Sequence, residues 1–125
     1  MIGELPVRAA KEYARGAGTT AQQKEKNVVS TYIILGNYTE QGIRNLKGLA
    51  QLRQAAEQWV ASKGGKVISN YTTFGPYDFV FTCELPNDEA CLEGVFLFGS
   101  QGSVRTQTLK AFPYADAERI AESIG

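Results

Sequence analysis

An α+β fold built on one four-stranded antiparallel sheet is predicted for this chain, on three features of its sequence. Four stretches are rich in β-branched and aromatic residues. Two longer stretches carry apolar residues at helical spacing. Glycine, proline and asparagine fall at the junctions, so the order reads β-α-β-β-α-β with a tail helix. At 125 residues the chain holds one hydrophobic core and is too short for two comfortable ones. Its 43% apolar and 21% charged residues are ordinary globular composition.

The first strand is expected from Val28 to Tyr38, with Tyr32, Ile34 and Tyr38 on one face and Ile33 and Leu35 on the other. A strand covered on both sides reads this way. Thr39 is a ready N-cap for a helix running to Lys63, whose stripe is Ile43, Leu46, Leu49/Ala50, Leu52, Ala56 and Trp59/Val60; Gly64-Gly65 stops it. Lys66 to Phe74 reads as a second strand, Gly75-Pro76 as a tight turn, and Tyr77 to Leu85 as a third strand. In that third strand Tyr77, Phe79, Phe81 and Cys83 alternate with Asp78, Val80, Thr82 and Glu84.

Asn87 or Asp88 caps the next helix, through Cys91, Leu92, Val95, Phe96 and Phe98 to Gly99. Ser103 to Phe112 is the fourth strand, and Tyr114 to Ile124 a short terminal helix. With strands two and three joined as a hairpin, this is the split βαβ, or ferredoxin-like, arrangement. Two helices cover only one face of such a sheet, yet strands one and three are apolar on both. The second face is expected to be buried against another copy of the chain, since twofold pairing is the commonest symmetry.

Residues 1–27 stand apart from the domain at 28–125. Leu5 to Arg15 reads as a short helix, and Gly16 to Thr20 breaks the pattern. The segment carries five basic and three acidic residues, +2, leaving −2 for the remainder. It reads either as a frayed tail or as an arm that docks on a partner, with Leu5, Val7 and Tyr13 as its apolar anchors.

Composition excludes much. A formal net charge of zero argues against nucleic acid as partner. No apolar run approaches the ~20 residues of a membrane span, and no secretory leader is apparent, so the expected location is cytoplasmic. Cys83 and Cys91 lack CxxC spacing and read as reduced core thiols. The chain has no histidine. That removes Ser-His and Cys-His nucleophiles, HExxH zinc sites and the usual neutral-pH proton shuttle. Neither a metal nor a cofactor is expected.

Three segments resemble the GYD family of the dimeric α+β barrel superfamily. They are Tyr38-Thr39-Glu40-Gln41-Gly42, the naming stretch Gly75-Pro76-Tyr77-Asp78, and the long run from Gly99 to Phe112. The resemblance spans about residues 30–114. It implies a ferredoxin-like fold that dimerises sheet to sheet, and lends little function. Haem-binding branches of the superfamily rely on a histidine, which this chain does not have.

Tyr38, Tyr77, Asp78 and Arg105 are the candidate ligand-binding residues, expected to cluster at one end of the sheet or at the dimer seam. One reading is a pocket in which Arg105 clamps an acidic or enolic oxygen while Asp78 or a tyrosine moves a proton. The other is structural, an Asp–Arg or Asp–backbone arrangement that fixes the hairpin and the dimer. Gly99 to Gly102 follows a helix and reads as its C-cap, not a phosphate loop. Phe74, Phe79, Phe81, Phe96 and Phe98 either fill the core or line an apolar cavity.

The preferred function is a non-catalytic, self-associating accessory or assembly subunit whose N-terminal extension docks on a larger complex. The alternatives are a small-molecule binding protein, or a cofactor-free enzyme acting on an enolisable or aromatic substrate between sheet and helices.

Overall fold

The computed structural model describes residues 28–125. In chain order the elements are β1 (Ser30–Tyr38), α1 (Glu40–Arg44), a 3-10 turn (Leu46–Gly48), α2 (Leu49–Ser62), β2 (Lys66–Thr72) and β3 (Phe79–Leu85). They are followed by α3 (Asp88–Ser100), β4 (Val104–Ala111) and α4 (Tyr114–Ser123). The sheet order is β2-β3-β1-β4, with every neighbouring pair antiparallel. This is the α+β, ferredoxin-like order expected from the sequence, with the extra C-terminal helix. The N-terminal extension, its expected helix and the anchors Leu5, Val7 and Tyr13 lie outside the described residues.

Local chemistry explains the boundaries. Thr39 Oγ1 accepts the Gly42 N–H at 3.1 Å and donates to the Gly102 carbonyl at 2.6 Å, so it caps α1 and ties it to the loop before β4. The single helix expected from Thr39 to Lys63 is instead broken at Asn45. Ile43, Leu46 and Leu49 recur every third residue, the period of a 3-10 turn, and Gly42 and Gly48 weaken the α-helix on either side.

The expected two-residue turn between strands two and three is a longer loop, residues 73–78. Thr73 N–H donates to the Asp78 carbonyl at 2.9 Å and Thr73 Oγ1 to the Tyr77 carbonyl at 2.7 Å. Within it Gly75 takes φ +104°, and Pro76 has no N–H to give a ladder. Asn87 caps α3 by accepting the Ala90 N–H at 2.9 Å. At the other end Gly102, at φ +87°, donates to the Gly99 carbonyl, so the Gly99–Gly102 stretch closes the helix.

The helices lie on one face of the sheet, α2 against β2 and α3 against β3 and β4. The core between them is Tyr32, Val60, Cys83, Leu85, Ala90 and Cys91, with Ile34, Trp59, Val67, Phe81 and Val95 packed around it. The other sheet face carries no packed helix among the described elements, and α4 buries none of its residues. Among the described residues no helix is long and apolar enough to cross a membrane.

Candidate functional site

Three features are candidates: the C-terminal end of β1, the open face of the sheet, and a cavity on its helix face. At the end of β1, Asp78 Oδ2 accepts the Tyr38 N–H at 2.9 Å, and the Asp78 N–H donates to the Gly36 carbonyl at 2.8 Å. Asn37 Nδ2 donates to the Pro76 carbonyl at 3.0 Å. The loop before β3 is thereby stitched to the end of β1. Tyr77 reaches across β1 to β4, where its hydroxyl donates to Gln107 Oε1 at 2.5 Å. Arg105 stands opposite Asn37 on β4 and is exposed. Among the described residues no ion pair joins it to Asp78. Tyr38, Tyr77 and Asp78 therefore gather at this end, with Arg105 beside them on the edge strand.

The register sorts the open face. Ile33 lies across from Thr82 and Leu109, and Leu35 across from Val80 and Gln107. Tyr71, opposite Val80 on the outer strand β2, extends the row and is exposed. A band of Ile33, Leu35, Val80 and Leu109 thus runs across the sheet, with Arg105 and Gln107 toward one end and Glu84 toward the other.

On the helix face a cavity of about 360 Å³ opens between α2, α3 and the sheet, its walls predominantly apolar. Trp59, Phe79, Phe81 and Phe98 line it, with Tyr38 at one end. Phe74 and Phe96, expected with them, do not. Phe74 lies in the loop after β2, fully exposed, and Phe96 stands on the outer side of α3. Two aromatic pairs order the walls: Tyr38 on Phe79 at 5.4 Å between centroids, and Phe98 edge-on to Trp59 at 6.2 Å. Cys83 and Cys91 complete the wall as free thiols. Burial pushes Cys83 up to about 11, with Glu84 adding to it. Burial, then Cys83 and Asp88, push Cys91 up to about 12. Both are neutral at physiological pH and behave as small apolar groups.

Against known families, the GYD domain model matches residues 32–121, most of the chain. The chain belongs to the GYD domain family. A curated relative from Thermus thermophilus is 32% identical over 87 residues, covering 69% of this chain and 92% of its own length. That relative is named as a glutamine synthetase and cystathionine beta-lyase binding protein. No solved structure matches the chain. In this GYD domain the naming Gly-Pro-Tyr-Asp stretch is the loop that stitches β3 to β1, and residues 1–27 fall before the matched region.

A polar cluster beneath α3 in the GYD domain escaped the sequence reading. The Tyr32 hydroxyl donates to Asp88 Oδ1 at 2.5 Å, and Lys110 Nζ pairs with the same oxygen at 2.9 Å. Burial, and then the Asp88 hydrogen bond, raise Tyr32 far above the ordinary tyrosine range, so its proton stays in place. Asp88 sits in the first turn of α3, where the helix dipole favours a carboxylate. The three residues are far apart in sequence, and only the β1–β4 register, which sets Tyr32 against Lys110, brings them together. Among the described residues no three His, Cys, Asp or Glu side chains gather as metal ligands.

Proposed function

We propose that this GYD protein is a non-catalytic, self-associating binding subunit. Two copies pair through the open sheet face, and the 1–27 extension docks the pair on a larger protein complex in the cytoplasm. The observation that carries this reading is the band of Ile33, Leu35, Val80 and Leu109 on a face that no described helix covers. An antiparallel sheet with a continuous apolar second face is stabilised by burying it, and a second copy offers the same face. The polar groups Tyr77, Gln107 and Arg105 then lie at the rim of the pair, where charge selects partner orientation more than it adds affinity.

The relative named for binding glutamine synthetase and cystathionine beta-lyase supports a protein-binding role over a catalytic one. By the same reasoning the partner here is an enzyme of that kind. The extension, outside the family match, supplies contacts of its own.

The test is the solution mass of the full-length protein and of Leu35→Glu, with binding of each to purified glutamine synthetase and cystathionine beta-lyase. Wild type is expected at twice the 13.6 kDa of one chain, and the variant at one chain's mass with its fold retained. Removing residues 1–27 is expected to abolish enzyme binding and leave the pair intact. A monomeric wild type sinks the pairing. A full-length dimer that binds neither enzyme sinks the accessory role as stated.

A further inference from the structure

The cavity lies on the helix face, away from the face used for pairing, and the accessory role leaves it unexplained. Protein interiors are close-packed, with few voids larger than a water molecule. This one holds about 360 Å³, within the range of small-molecule sites. Its size follows from where its aromatic walls rest. The Phe79 ring lies over Gly36, where a Cβ would come within 2.0 Å of it. The Trp59 indole lies over Gly94, where a Cβ would come within 2.7 Å. Both rings are set back against bare backbone, and the space between them stays open.

Among the described residues the polar side chains of the wall are few: Tyr38 and Thr106 on the β1–β4 side, and Arg53, Asn70 and Thr72 on the other. No carboxylate among the described residues lines the cavity, and its thiols are held neutral by burial. The only charged lining residue among those described, Arg53, is exposed and paired with Glu57 at 3.3 Å. Arg53, Asn70 and Thr72 are all exposed and mark the open side, between α2 and the outer strand β2. At the other end stands Tyr38, half-buried, its backbone pinned by Asp78 and its ring tilted 39° against Phe79. The Tyr38 hydroxyl has no hydrogen-bond partner among the described residues. Part of its surface reaches solvent, so the phenol is a free donor that a bound molecule can take up.

We infer that this cavity binds a flat, neutral molecule of one or two fused rings carrying a single acceptor oxygen, which takes the hydrogen bond of Tyr38. The rings stack among Trp59, Phe79 and Phe98, and burial of apolar area drives binding. The oxygen fixes orientation. A cation is disfavoured because the wall offers no anion among the described residues to pair with it.

Two probes test this on the full-length protein: 1-tetralone, and tetralin, which has the same ring body without the oxygen. Binding is measured by calorimetry, with the emission of Trp59, the single tryptophan, as a second readout. Both are expected to bind, the ketone about five- to tenfold tighter, the worth of one hydrogen bond. Tyr38→Phe is expected to erase that preference while tetralin still binds, which also shows that the variant is folded. Binding of neither probe up to its solubility limit overturns the proposal. Equal affinity for the two overturns it as well, as does a preference that survives in Tyr38→Phe.

Discussion

Asp78 holds three backbone bonds at once. Its carboxylate accepts from Tyr38, its N–H donates to Gly36, and its carbonyl accepts from Thr73. Only the first depends on the side chain. In Asp78→Ala the half-buried Tyr38 N–H loses its acceptor, and stability is expected to fall by about 1–2 kcal/mol in urea titrations. Asp78→Asn keeps an acceptor oxygen and is expected to lose less. An alanine variant as stable as wild type shows that water replaces the bond at no cost. The residue itself was legible in the sequence, because an aspartate beside Gly75-Pro76 reads as a turn stabiliser. Its acceptor role toward Tyr38 was not, because the two lie 40 positions apart and meet only once β1 and β3 pair.

Among the elements, α2 and α3 meet where one indole rests on a glycine. Gly94 lets the Trp59 indole rest on the α3 backbone, and Lys63, at the end of α2, sits 5.8 Å from the same ring and pairs with Glu93. A methyl at position 94 meets a rigid ring, so the helices must part or the indole must turn. Gly94→Ala is expected to cost about 1–3 kcal/mol and to shift Trp59 emission. Unchanged emission and stability show that the indole does not rest on Gly94 in solution. Helical spacing in the sequence located both helices, but it misread the break at Asn45. Apolar residues three apart suit an α-helix and a 3-10 turn alike, and at the break the Asn45 N–H turns to the Gly42 carbonyl, three residues back.

For the molecule as a whole, the buried thiols set an alkaline limit. The folded state holds the protons of Cys83 and Cys91 more tightly than the unfolded chain, whose thiols titrate near 9.0. Their contribution is complete below about pH 9 and is lost as pH rises through about 11 to about 12. Melting temperature is expected to fall across that window, and less steeply when both cysteines are alanine. Tyr32, also raised by burial, adds to the fall with the same sign. A wild-type curve no steeper than that of the double alanine variant removes the thiols from the account.

The sequence by itself determined the order of elements, the ferredoxin-like sheet, the family, and the apolar second face. Each follows from local periodicity or from short contiguous motifs, which a linear chain displays. Tertiary structure alone decided which aromatics face the cavity. Phe79, Phe81 and Phe98 point inward, while Phe74 and Phe96, equally apolar, stand in the solvent. It also decided that Tyr32, Asp88 and Lys110 form one cluster, and that Tyr77 spans a strand to reach Gln107. Phe74 and Phe96 are placed by a loop and by the turn of a helix. For the cluster and for Tyr77 the physical reason is register, a property of two strands together, in which a shift of one residue turns every side chain to the opposite face.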